Sequence, residues 1–126
     1  MQRPVIIILL VLLMVGCGGD GDDEDNGPTL EPTAAAGRQV FRTHCAACHA
    51  VDGNRVVVGP SLDGLAVRAE NRVEDLNAET YIYQSIIAPN EYIVEGFSSS
   101  AMPQNFAVDL TSEEVNQLVT YLLTLK

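Results

Sequence analysis

Two cysteines stand three residues apart, and a histidine follows the second at once: Cys45-Ala46-Ala47-Cys48-His49. No other feature constrains the fold as strongly. The pentapeptide lies in a globular stretch of about 94 residues, Thr33 to Lys126. A domain that small buries a limited share of its surface and gains from an internal staple. Cysteines this close together close a trivial loop and cannot clip distant segments. A group that fills the core would serve instead.

Cys-x-x-Cys-His is the attachment pattern of a c-type haem. Two thiols at this spacing can add to the two vinyl groups on one porphyrin edge. His49 is then carried under the iron as an axial ligand. Other readings of the same residues exist. A thiol redox pair wants a βαβ pattern around it, and none is visible. A structural zinc site takes four protein ligands. Cys45, Cys48 and His49 give three, with His44 a strained fourth.

The flanks predict helices. Ala34 to Thr43 reads as a short helix entering the motif, with Gly37 and Phe41 on one face. Thr111-Ser112-Glu113-Glu114 has the form of a capping box, Thr111 as N-cap and Glu114 reaching back. Val115, Leu118, Val119, Leu122 and Leu123 then follow the stripe of an amphipathic helix. Lys126 at its end suits the helix dipole. The two helices are expected to cross as a pair, Gly37 permitting close approach and Phe41 packing near Tyr121.

The residues before Thr33 differ in composition. Arg3 is the one early charge, and an unbroken apolar run, Val5 to Val15, follows it. A spanning helix needs about 20 apolar residues, so residues 1–16 read as an export signal. Its end, Met14-Val15-Gly16-Cys17, resembles the lipobox of bacterial lipoproteins, with Met14 where Leu is usual. That resemblance implies a diacylglyceryl thioether on Cys17 and a lipid anchor in a membrane of the bacterial cell envelope, on the extracytoplasmic face. Ordinary secretory cleavage and an uncleaved anchor are the alternatives. Residues 17–32 then form a lipid-anchored acidic tether. Gly18 to Pro32 holds six acids and no base, a composition that stays disordered and extended. At full stretch it spans at most about 50 Å.

The globular part, residues 33–126, resembles class I cytochrome c, the small single-haem family. The landmarks are Gly37-x-x-x-Phe41, Cys45-x-x-Cys48-His49, Gly59-Pro60, Met102-Pro103 and the C-terminal helix. Pro89-Asn90 to Gly96-Phe97, leading to Met102-Pro103-x-x-Phe106, also resembles cytochrome c domains partnered with bacterial haem-copper oxidases. The resemblance implies an all-α cytochrome c fold of three to five helices around one covalent haem c. It also implies that the carbonyl at Pro60 takes the second ring proton of His49. Val56 to Val58, Leu62 and Leu65 would line the haem, and Tyr81, Tyr83 and Tyr92 are candidates to reach its propionates. Gly59 and Gly64 would serve turns.

Candidates for the second axial position are Met102, His44 and no residue at all. Met102 is the only methionine left once Met1 and Met14 depart with the signal. It precedes Pro103, and Ser98-Ser99-Ser100 lies just before it, both unfavourable to helix. A thioether suits soft ferrous iron, and His/Met ligation raises the potential. His44 adjoins Cys45 on the tethered porphyrin edge and cannot reach the opposite iron face.

Two protein ligands on iron leave no position for oxygen or peroxide, so the expected function is electron transfer, not enzymology, with no small-molecule substrate. The whole chain carries a net charge of −10, which excludes nucleic acid as a partner. Thr33 to Lys126 alone holds 11 acids against 6 bases. The expected partners are redox proteins with a basic dock, a quinol-oxidising complex and a terminal oxidase. A haem subunit permanently docked in one such complex is the alternative. An open-site haem enzyme or gas sensor is the more distant one.

Overall fold

The computed structural model describes residues 29–126. The expected signal (1–16), the lipidated Cys17 and the tether as far as residue 28 lie outside the described residues. Five helices build the described part: α1 (Pro32–His44), α2 (Leu65–Ala69), α3 (Ala78–Ile87), α4 (Phe106–Asp109) and α5 (Ser112–Leu122). Among the described residues there is no strand, only an isolated bridge between His49 and Val56. None of these helices is long and apolar enough to cross a membrane.

α1 begins two residues before its predicted start, with Pro32 in its first turn. Proline suits that position, because its missing N–H would have no helical partner there. Leu30, assigned from sequence to the tether, packs against the core. The folded unit therefore begins earlier than the composition shift.

α1 crosses α5. Ala34, Gly37 and Phe41 are the buried face of α1. Val115, Leu118, Val119, Tyr121 and Leu122 are that of α5. Gly37 stands against the Gln117 carbonyl so closely that any Cβ at position 37 would overlap it. One helix over, the Phe41 and Tyr121 rings meet at 5.6 Å, tilted by 53°. That spacing is favourable for an aromatic pair. Leu118, 1% exposed, sits at the centre. Leu123, predicted as part of the stripe, is the C-cap and only partly buried.

The capping box at α5 forms as the sequence predicts. The Thr111 N–H donates to Glu114 Oε2 at 2.8 Å, and the Glu114 N–H donates to Thr111 Oγ1 at 3.2 Å. α3 starts similarly, with Asn77 Oδ1 accepting from the Thr80 N–H at 2.9 Å. Ile82 and Ile86 turn α3 onto the same core. Between α3 and α4 the chain runs from 88 to 105 without a helix.

Candidate functional site

One cleft of about 350 Å³ gathers the side chains singled out in the sequence: Cys45, Cys48, His49, Pro60 and Met102 all line it. Its walls are mostly apolar and include Phe41, Ile82, Ile86, Phe106 and Leu118. Four separate segments supply these residues. The end of α1 delivers the two cysteines, the loop to α2 delivers Pro60, α3 supplies Ile82 and Ile86, and the loop 88–105 delivers Met102.

The orientation of His49 is fixed chemically. Its Nδ1 lies 2.8 Å from the Pro60 carbonyl oxygen. A carbonyl can only accept, so Nδ1 carries the proton and Nε2 keeps its lone pair. Gly59 takes part in a different way from the predicted turn. Its φ is not positive, unlike that of Gly64 at +64°. A Cβ at position 59 would instead overlap the His49 ring. Glycine is there because the imidazole occupies the space of a side chain. The Val58 and Gly59 N–H groups both donate to the Cys48 carbonyl, at 3.2 and 2.9 Å, and tie this loop under the motif.

Cys45 and Cys48 are not joined in a disulfide. Burial, and then the neighbouring Cys48, push the Cys45 thiol up to about 11. It stays protonated at neutral pH, unlike the lowered thiol of an exchange-active pair. A zinc site fares no better, since no metal-holding group of three or more His, Cys, Asp or Glu exists among the described residues. His44 is exposed, as expected, with its ring edge-on to Phe106 at 6.4 Å.

Some sequence expectations need correction. Val56 and Val57 do not line the cleft: they are 61% and 44% exposed. Val58 touches the cleft but is itself largely exposed, whereas Leu62 and Leu65 do line it. The bridge to His49 turns the valine run along the outside of the loop. Tyr83 lies away from the site, in a separate groove between α3 and α5. Tyr81 and Tyr92 do reach the cleft, their rings in edge contact at 5.7 Å. Burial pushes the Tyr81 phenol above its ordinary value against the opposing pull of Ser85, Arg72 and Arg68.

Sequence reasoning missed those two arginines. Arg68 and Arg72 both line the cleft. Arg68 donates to the Ser61 carbonyl at 2.9 Å and also to the Asp63 carbonyl. Among the described residues neither guanidinium is paired with a carboxylate. Arg68 lies on α2 and Arg72 in the bend after it, so no helical period marks the pair in the sequence. Two unneutralised cations in an acidic domain suit an anionic group in the cleft.

The residues present fit a haem: paired thiols, an imidazole with a free Nε2, a thioether, apolar walls, and cations for two carboxylates. Fold and cleft together define a small all-helical haem-binding domain. A family model described as Cytochrome c matches residues 34–126, and the chain belongs to the cytochrome c family. It is therefore an electron-transfer haem protein. No match is found among curated proteins.

Proposed function

We propose that the chain is a membrane-tethered one-electron carrier holding one haem c, with thioethers at Cys45 and Cys48 and with His49 and Met102 as axial ligands. One observation carries this reading: these four side chains line a single apolar cleft in which His49 is held with Nε2 free. When bound, the haem supplies an iron that cycles between Fe(II) and Fe(III).

The chain's own residues do the rest. The Pro60 carbonyl holds the Nδ1 proton and so keeps the imidazole a neutral donor at Nε2. Gly59 leaves the ring its room. Phe41, Phe106 and Leu118 exclude water, which with a thioether ligand favours the reduced state. Arg68, Arg72 and Tyr92, which line the cleft, would donate to the haem carboxylates. With Met102 and His49 both holding the iron, no position would remain for oxygen or peroxide, so the reading is of a carrier and not of an enzyme. A lipid on Cys17 and the acidic tether hold it at the extracytoplasmic face of a bacterial envelope membrane. There it passes electrons from a quinol-oxidising complex to a terminal oxidase. The excess of 11 acids over 6 bases in the domain supports a basic dock on each partner and salt-sensitive encounters.

The test is optical. The full chain is exported alongside haem-attachment machinery, and oxidised and reduced spectra are recorded with and without carbon monoxide. A c-type reduced spectrum, a weak far-red sulfur-to-iron band when oxidised, and no carbon monoxide response are expected. A prompt carbon monoxide shift means an open iron and returns the enzyme or sensor reading. Absence of covalent haem overturns the cofactor assignment. Transfer of the Cys17→Ser protein from membranes to the soluble fraction checks the anchor.

A further inference from the structure

The segment that carries Met102 has little to hold it. It runs from 88 to 105 without a helix. Apart from the bonds that join its ends to α3 and α4, its backbone hydrogen bonds are three short-range turns, Glu91 to Ala88, Phe97 to Val94 and Ala101 to Ser98, and Gln104 Nε2 donates to the Met102 carbonyl at 2.7 Å. One side chain joins its two limbs. Asn90 Oδ1 accepts from the Ser100 N–H at 2.8 Å, and Asn90 Nδ2 donates to Ser100 Oγ at 3.2 Å. Ser100 has a φ of +60°, a left-handed conformation that a residue with a Cβ adopts only at a cost. Met102 follows two residues later. Asn90 itself stands three residues beyond α3, and the Ala88 and Glu91 turns fasten it to that helix. A continuous mechanical line therefore runs from the buried Ile86, through Asn90, to Ser100 and Met102.

We propose that Asn90 is a positioning residue for the sixth ligand: its two-point grip on Ser100 holds the loop in the conformation that presents the Met102 thioether to the iron. This rests on the Met102 ligation proposed above. The chemistry of the grip is specific. A carboxamide offers one acceptor and one donor, matched to the Ser100 N–H and Oγ. Without it, only the long Ala101 to Ser98 turn hydrogen bond, at 3.3 Å, opposes the backbone preference at Ser100, and the residue leaves the left-handed region more often. The thioether then spends more time away from the iron. The fold is unaffected, since Asn90 and Ser100 are both exposed and neither belongs to the core.

The test uses the full exported holoprotein in four forms: unaltered, Asn90→Ala, Asn90→Asp and Met102→Leu. The readouts are the far-red sulfur-to-iron band when oxidised, the carbon monoxide binding rate when reduced, and helix melting followed by circular dichroism. Asn90→Ala is expected to weaken the band and to speed carbon monoxide binding about tenfold, the loss of two net hydrogen bonds. Its melting curve should barely move. Asn90→Asp, whose carboxylate accepts from both the N–H and the Ser100 hydroxyl, is expected to return both readouts towards the unaltered protein. An Asn90→Ala protein with an unchanged band and an unchanged rate overturns the latch and leaves Met102 ligation standing. An unaltered protein indistinguishable from Met102→Leu overturns the ligation reading, and the latch with it. Should Asn90→Ala not accumulate, Ser100→Ala removes only the Oγ partner. It must then give a smaller change in the same direction, or the latch is wrong.

Discussion

The α1/α5 crossing and the loop 88–105 border the same cleft, yet they are held by different forces. At the crossing, backbone meets backbone at Gly37 and Gln117, and Leu118 and Phe41 are buried among apolar neighbours. In the loop, a side-chain clasp, the Gln104 bond to the Met102 carbonyl and three short turns accompany the partly buried packing of Met102. The difference teaches how one small domain separates two requirements. The side that carries the attachment motif and His49 is rigid because packing over-determines it. The side that carries Met102 is fixed locally, and its hold can be altered without unfolding the rest.

Four measurements break or sharpen that contrast. Leu118→Ala attacks the packed side at its centre. A large-to-small change at a position 1% exposed should cost about 2–5 kcal/mol, a large part of the total for a domain this size. Chemical denaturation of the holoprotein measures it. Gly37→Ala tests the close approach. Alanine gains about 1 kcal/mol of helix propensity, but its methyl group meets the Gln117 carbonyl, a backbone atom that cannot swing aside. The net result should be a loss of about 2 kcal/mol and a lowered melting temperature. A gain in stability would mean that the helices do not touch there. Met102→Leu tests the loop side. Similar apolar volume should hold the change in apoprotein stability to less than about 1.5 kcal/mol. Carbon monoxide binding to the reduced holoprotein should become prompt.

The smallest effect concerns the cap of α5. Hydrogen bonds from the Thr111 backbone and hydroxyl hold the Glu114 carboxyl below its ordinary value of 4.5. A lowered folded value means that the contribution is fully present above pH 4.5 and fades as the pH falls through the folded value. Melting of Glu114→Gln should therefore lie slightly below the unaltered protein at neutral pH, and the gap should close in acid. A gap that widens in acid would contradict the cap.

The sequence made the packed side legible and the loop side much less so. Local signals sufficed at α1 and α5. A glycine and an aromatic four apart, a capping box and a 3.6-residue stripe each state which face is buried. The pentapeptide likewise states its chemistry through spacing alone. Val56 to Val58 shows the limit: three valines in a row have no period, so hydrophobicity could not say which way they point. Only the bridge to His49 decides that. Tyr83 failed for a related reason, since Tyr81 and Tyr83, two apart on α3, face different directions. Arg68 and Arg72 were hidden because their role depends on the absence of a nearby carboxylate, which is a tertiary fact. The Asn90–Ser100 grip joins residues ten apart through side chains, and no motif marks it.

The meeting of α1 with α5 also sets a schedule. A chain emerges from its N-terminus during synthesis, and α1, with 13 residues, is marginal as an isolated helix. Its partner, α5, follows the other four described helices in the chain. Ala34, Gly37 and Phe41 therefore have nothing to pack against until Leu122 is available. Closing so long a loop carries an entropic cost that no earlier contact offsets. The α1/α5 crossing is thus deferred until α5 has been made. For all that time Cys45 and Cys48 lie in an open chain, where both thiols can be reached.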